Sequence, residues 1–298
     1  MLGLQTKTGR PGIDLKPNEE PTPIRSRYTQ KPKVLIPTGI GINSHEELGY
    51  VFRLAGADVD YRHINSMIDD PSILDQYQGL GLPGGFMMGD QLGAGQSGAN
   101  RIRKSGLRDK LKEKLEDSNV PIYAVCNFLQ VLAKLDLFDD LPVGTLKNDS
   151  GKHETGYWDV KVNPDNDTVW LKYLKDTKEP IFAPISHGEG RIYVPKRGLE
   201  GVMSDKMVAL TYTRGHMAKY LESSRGEQYN PNGSVDDIAG FGWKNNLVLF
   251  PHFERLHHDF QRPDRAQLQQ EGRHTGAEYN PTTLMFRAAV DFMKGDIK

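Results

Sequence analysis

The chain contains a single cysteine, Cys126, at a junction between two kinds of pattern. Val120 to Val125 follows the polar turn Glu116-Asp117-Ser118-Asn119 and reads as a buried parallel strand. Phe128, Leu129, Val131, Leu132 and Leu135 then recur at helical spacing. A nucleophile at such a junction is an elbow: the turn exposes its side chain, N–H groups at the helix start can receive an oxyanion, and the helix dipole favours a thiolate. The plainer reading is a small buried hydrophobe. A thiol nucleophile needs a base, and the base an orienting group. His252-x-Glu254 supplies both at the end of another apolar run, where a period of two puts the two side chains on one face. The alternative is a surface pair without function. A third run ends in Pro83-Gly84-Gly85-Phe86, whose glycines let backbone approach a ligand. An N–H of Gly85 or Phe86, with that of Asn127, would make a two-donor oxyanion hole. Cysteine, histidine and glutamate together are the set for acyl transfer to a thiol.

The elements that must position these residues follow from periodicity. Lys33–Pro37 predicts a strand, and Gly39 to Ser44 a loop in which Asn43 or Ser44 caps a helix through Glu46. Leu48, Val51, Phe52 and Ala55 line that helix, and Gly56 ends it. Strands are expected over Asp58–Ile64 and Gly79–Leu82, and a helix over 99–117 with a buried stripe of Ile102, Leu107, Leu111 and Leu115. This order implies an α/β, doubly wound, mostly parallel sheet of flavodoxin-like type, with sites at the strand carboxyl ends. After Leu141-Pro142 come candidate strands at Tyr157–Val162, Pro180–Ile185, Arg191–Val194 and Met207–Tyr212. A hairpin, Ile238–Trp243 and Leu247–Phe250 around Lys244-Asn245-Asn246, delivers Pro251-His252-Phe253-Glu254 to the site. These added strands would be antiparallel. Leu284–Met293 closes the chain as a helix, and 261–282 reads as a polar surface excursion. Residues 1–30, broken by Pro11-Gly12, Lys16-Pro17 and Pro21-Thr22-Pro23, form an irregular extension, leaving 31–298 as one domain.

Charge is balanced, 38 basic against 39 acidic residues, so there is no footprint for nucleic acid or an anionic membrane. One cysteine forms no internal disulfide, which fits a reducing cytoplasm. No apolar run approaches the roughly 20 residues that span a bilayer.

Several strings, in order, resemble the class I (triad) glutamine amidotransferases, specifically the glutaminase subunit of phosphoribosylformylglycinamidine synthase in purine biosynthesis. They are Gly41-Ile42-Asn43-Ser44-His45-Glu46-Glu47, Leu82-Pro83-Gly84-Gly85-Phe86-Met87-Met88-Gly89-Asp90 with Ala94-Gly95, and Cys126-Asn127-x-x-Gln130. Further along are Pro184-Ile185-Ser186-His187-Gly188-Glu189-Gly190-Arg191, Asn230-Pro231-Asn232-Gly233-Ser234, and Pro251-His252-Phe253-Glu254-Arg255. The resemblance implies a glutaminase with Cys126, His252 and Glu254 as triad and Gly85, Phe86 and Asn127 around the oxyanion. Gly84, Gln130, His187, Gly188 and Glu189 would then bind glutamine. It implies no metal or cofactor in this chain, and a synthetase subunit as partner, with or without a small accessory subunit. ATP and magnesium belong to that synthetase.

The chain departs from the pattern at Ala124 and Phe128, where elbow glycines are expected, at Met87-Met88, and at Phe253 in place of proline. A Phe at 128 must avoid a left-handed backbone and narrows the pocket. Rival readings are another Cys/His/Glu hydrolase, such as a peptidase or a glutaminase serving a different synthetase, and a regulatory chain that has lost turnover. Gly93-Ala94-Gly95-Gln96-Ser97-Gly98 fits a dinucleotide fingerprint but lacks a strand directly before it. His257-His258-Asp259 reads as a solvated loop rather than a metal site, because adjacent histidines on regular backbone point apart.

Overall fold

The computed structural model describes residues 31–138, 142–204, 206–221, 228–272 and 279–297. The expected extension over 1–30, Leu141 at the expected boundary, and part of the 261–282 excursion lie outside these residues.

The first half alternates strand and helix: β1 (Lys33–Thr38), α1 (His45–Ala55), β2 (Asp58–His63), α2 (Ile64–Asp69), β3 (Gly79–Leu82), α3 (Gln96–Arg103), α4 (Leu107–Glu116), β4 (Ile122–Val125) and α5 (Asn127–Lys134). The second half adds β5 (Gly144–Leu146), β6 (Glu154–Val162), β7 (Ile181–His187), β8 (Arg191–Tyr193), α6 (Lys196–Ser204), β9 (Val208–Tyr212) and α7 (His216–Tyr220). It ends with β10 (Ile238–Trp243), β11 (Asn246–Leu249), α8 (Arg265–Gln270) and α9 (Thr283–Met293).

One nine-stranded sheet runs β2-β1-β3-β4-β11-β10-β9-β6-β7. The pairs from β2 through β11 are parallel and those from β11 through β7 antiparallel. The chain moves from β1 outward to β2, then back past β1 to β3. Right-handed crossovers therefore put α1 on one face and the later helices on the other. α1 packs against α9, while α3 packs against α4 and α5. The alternation of crossover directions makes the carboxyl ends of the central strands the natural crevice.

Local chemistry explains most boundaries. Gly56 ends α1 in a left-handed conformation, φ 99°, with its N–H on the Arg53 and Phe52 carbonyls. The single helix expected over 99–117 is two helices. The Ser105 hydroxyl donates to the Ile102 carbonyl at 2.9 Å and accepts the Leu107 N–H at 3.3 Å, closing α3 and opening α4. The expected stripe of Ile102, Leu107, Leu111 and Leu115 is nevertheless buried throughout. Ile64 opens α2 rather than closing β2. The closing hairpin has the two-residue loop Lys244-Asn245, with Trp243 paired to Asn246.

Two parts of the second half differ from expectation. β8 leaves the main sheet to pair with β5, and α6 has no counterpart in the sequence reading. Over 261–282, α8 and the buried Asp264, Asn280 and Thr282 replace a purely surface excursion. Asp264 is held there by the Arg262 guanidinium at 2.8 Å and the His216 imidazole at 2.6 Å. Likewise His257 and Asp259 are buried, not part of a solvated loop. Beneath β4 lies an aromatic cluster: the Phe286 ring stands 5.0 Å from Tyr123 and 5.3 Å from Phe52.

Candidate active site

Cys126 sits directly after β4 with φ 53° and ψ −107°. No ordinary L-residue prefers this backbone, and holding it costs roughly 1–3 kcal/mol. The cost is borne because Cys126 N–H is tied to the Leu249 carbonyl of β11 at 2.8 Å while Asn127 starts α5. The two departures from the elbow pattern do not disturb this. Ala124 is buried in β4 opposite Leu82 and Val248. Phe128 lies within α5 on its buried side, so its backbone is helical and its ring does not narrow the pocket.

His252 and Glu254 come together by a different route from the one their spacing suggests. β11 ends at Leu249, and Phe253–Arg255 is a 3₁₀ turn headed by His252. The turn, not strand pleating, brings His252 Nδ1 to 2.6 Å from Glu254 Oε1. The His252 backbone N–H is fixed on the Pro184 carbonyl at 2.8 Å. The second carboxylate oxygen accepts the Tyr123 hydroxyl at 3.0 Å.

Burial would depress the His252 imidazolium, but the Glu254 carboxylate and the Cys126 thiol, which is within hydrogen-bonding reach, outweigh it and raise its pKa to about 9. Burial pushes Glu254 upward, yet the His252 charge and hydrogen bond hold it below its ordinary value. The thiol itself also faces the Ser186 carbonyl, 3.6 Å away.

The Gly84-Gly85-Phe86 turn follows β3 and is clamped by the loop after β1. Gly84 O accepts the N–H groups of Asn43 and Ser44, while Gly84 N–H donates to Ser44 Oγ at 2.7 Å. Ser44 therefore makes no side-chain cap on α1, contrary to its expected role. The Phe86 N–H donates to the Gly41 carbonyl at 2.6 Å, so it is not the free donor expected for an oxyanion. Gly85 N–H and Asn127 N–H have no protein acceptor among the described residues, and they form the remaining pair. A Cβ at Gly84 would stand 2.7 Å from His252 Cε1 and 3.2 Å from Cys126 Cβ, which explains a glycine against the triad.

A cavity of about 170 Å³ opens over the thiol. Of the residues expected to bind glutamine, Gln130, His187, Gly188 and Glu189 line it, whereas Gly84 lies behind it against His252. Its walls are cross-linked. Asn127 Oδ1 accepts the Met87 N–H at 2.8 Å, and its amide donates to Asp90 Oδ2 at 3.0 Å and Gln130 Oε1 at 2.9 Å. Gln130 then donates to the Glu189 carbonyl at 2.9 Å. Burial lifts the Asp90 carboxyl above its ordinary range despite the Gly95 N–H and the Asn127 amide. The fingerprint-like Gly93–Gly98 segment serves packing: a Cβ at Gly95 would meet Val131 N of α5 at 2.9 Å.

The places of Ser44, Asp90 and Tyr123 at the site were not read from the sequence, which offered Ser44 only as a helix cap. The first two lie inside strings already recognised as distinctive. Tyr123 carried a signal of its own, a polar tip on a fully buried strand that requires a partner.

The match to the CobB/CobQ-like glutamine amidotransferase domain covers residues 31–293. The chain is 32% identical over 277 residues to phosphoribosylformylglycinamidine synthase subunit PurQ from Methanococcus maripaludis, covering 88% of this chain and 98% of the relative. The like-named subunit from Dehalococcoides mccartyi is 31% identical over 245 residues, covering 78% and 89%. Among solved structures, a chain of PurLQS from Thermotoga maritima superposes with a TM-score of 0.62 at 23% identity, covering 88% of this chain and 99% of that one. A glutamine amidotransferase from the same organism gives 0.52 at 18% identity, covering 89% and 99%.

Proposed function

The chain belongs to the glutamine amidotransferase family, and from that premise we propose that it is the glutaminase subunit of a phosphoribosylformylglycinamidine synthase. It hydrolyses glutamine and hands ammonia to a synthetase subunit in purine biosynthesis, a reading supported by the relatives named phosphoribosylformylglycinamidine synthase subunit PurQ. Residues 31–298 act as one amidotransferase domain in the cytoplasm. ATP and magnesium serve the synthetase, and a small accessory subunit completes the assembly where one exists.

The observation that carries this reading is the buried His252–Glu254 pair facing a cysteine on a strained elbow. The Cys126 thiolate attacks the glutamine side-chain carbonyl. Oxyanion charge develops between the Gly85 and Asn127 N–H groups, where preformed donors are most effective. His252 gives its proton to the leaving nitrogen, ammonia departs, and a γ-glutamyl thioester remains on Cys126. Water hydrolyses the thioester to glutamate. The Asp90–Asn127–Gln130–Glu189 network holds the cavity in shape around the substrate.

The test is glutamine hydrolysis with and without the synthetase. Cys126→Ala should abolish glutamine-dependent turnover while the complex still uses free ammonia. Glutamine-driven turnover in that variant would rule out the nucleophile. Failure of the folded wild-type chain to take a covalent glutamine-analogue electrophile would favour a regulatory chain instead.

A further inference from the structure

His187 and Tyr212 stand apart from the rest of the site. Among the described residues neither His187 ring nitrogen has a hydrogen-bond partner, although the residue is 2% exposed, and the equally buried Tyr212 hydroxyl lies near the Asn232 side chain without a hydrogen bond of ordinary geometry. The backbone carbonyl of His187 itself lies near the ring, but not at hydrogen-bonding geometry. Leaving such groups unsatisfied costs about 1–3 kcal/mol each, and native interiors resolve the cost with water or a ligand.

The two groups are linked through Gly190 and Asn232, and each lies near a member of the Cys126–His252 pair. The His187 ring packs so closely on Gly190 that a Cβ there would stand 2.2 Å from Nδ1. Gly190 O accepts the Asn232 amide at 2.7 Å. Asn232 is also the polar neighbour of the Tyr212 hydroxyl, whose proton is held more tightly by burial and by the nearby Cys126 charge. His187 lines the cavity over Cys126. Burial, then the positive charge of His252, lowers the His187 pKa to about 3, so its ring is neutral and offers one donor and one acceptor.

We infer that His187 and Tyr212 hold the water that hydrolyses the thioester, a role that rests on the glutaminase reading above. After ammonia leaves, His252 is neutral. The water held beside it attacks the thioester carbonyl carbon and gives a proton to His252. The tetrahedral oxyanion collapses, the C–S bond breaks, and Cys126 leaves as thiolate beside the imidazolium. The γ-carboxylic acid of glutamate then loses its proton to solvent. His187 and Tyr212 are positioning residues: they orient the water and take no proton in the balance.

The experiment uses the complex with its synthetase and labelled glutamine, quenched on the pre-steady-state timescale. Tyr212→Phe removes only the hydroxyl, and His187→Leu removes both ring nitrogens. In both, kcat should fall about tenfold or more, and the fraction of enzyme trapped as thioester should rise. In Tyr212→Phe, whose hydroxyl does not line the glutamine cavity, the rate of Cys126 labelling by an electrophilic glutamine analogue should stay unchanged, because acylation needs no such water. Unchanged thioester occupancy, whether with unchanged kcat or with kcat and labelling falling together, overturns the inference. So does a loss of ammonia transfer per glutamate formed with normal thioester turnover, which would assign the groups to ammonia passage. A wild-type enzyme that forms no thioester would instead sink the glutaminase reading itself.

Discussion

Tyr123 and Glu254 are 131 residues apart, and the Tyr123 hydroxyl donates to Glu254 Oε2 at 3.0 Å. Tyr123 lies in β4 three positions before Cys126, so this strand and the turn directly after it supply both the candidate nucleophile and the anchor for the carboxylate bonded to His252. The aromatic cluster of Phe52, Trp170 and Phe286 fixes the Tyr123 ring from below. Tyr123→Phe leaves one buried carboxylate oxygen without its donor, which should cost about 1–3 kcal/mol of stability. Urea unfolding measures this. Hydrolysis should slow in the same variant because the imidazole loses its fixed orientation, and undiminished kcat would show that the anchor is dispensable.

Glu254→Gln should be more severe. The amide can present its NH₂ to His252 Nδ1 and favour the wrong tautomer, and it removes the charge that keeps His252 protonated. A loss in kcat of about 10³- to 10⁴-fold is expected by analogy with the same change in other triads. NMR titration of His252 should show its pKa falling from the raised value of about 9. A variant whose His252 titrates as before would remove Glu254 from the base's electrostatics.

The two turn glycines should fail differently. At Gly84 an added methyl meets side chains of the triad, His252 Cε1 at 2.7 Å and Cys126 Cβ at 3.2 Å. Gly84→Ala should therefore cut activity by roughly a hundredfold through displaced reacting groups, with a modest change in unfolding. At Gly85, with φ 151°, the methyl meets backbone, the Gly41 carbonyl at 2.3 Å. Gly85→Ala should lose about 1–3 kcal/mol of stability from strain, along with activity. Equal behaviour of the two in paired unfolding and kinetic measurements would contradict this division.

Stability should peak near pH 6.5. His252 is raised from 6.5 to about 9, so its contribution is complete below pH 6.5 and is lost as pH rises to about 9. His187 and His257 are depressed from 6.5 to about 3 and about 4, burial being the main cause. Below pH 6.5 the unfolded chain binds these protons and the folded one does not, so stability falls with acid. Glu254, held below its ordinary 4.5, adds to the loss at still lower pH. Urea midpoints across this range check the shape, and His187→Leu should make the acid limb shallower.

The order of strands and helices around β1, β3 and β4 was legible because each element carries its own periodicity and its own stop. So were Cys126, His252 and Glu254, because a nucleophile, a base and an acid each stood at the end of an apolar run. The break at Ser105 was not legible, since one hydroxyl that both closes and opens a helix does not interrupt the apolar stripe. The route joining His252 to Glu254 was also misread, because strand and 3₁₀ turn both place residues two apart near one another.

The sequence by itself therefore determined most of the elements that build the central sheet and the candidate reacting groups, each of which carries its own local pattern. Tertiary structure alone decided which amide of the Gly85-Phe86 turn stays free, because its competitor, the Gly41 carbonyl, comes from a different loop. It also decided that Tyr123 completes the carboxylate's hydrogen bonds, and that the elbow strain falls on Cys126 despite Ala124 and Phe128. Hydrogen bonds between segments far apart in the chain leave no periodicity to read.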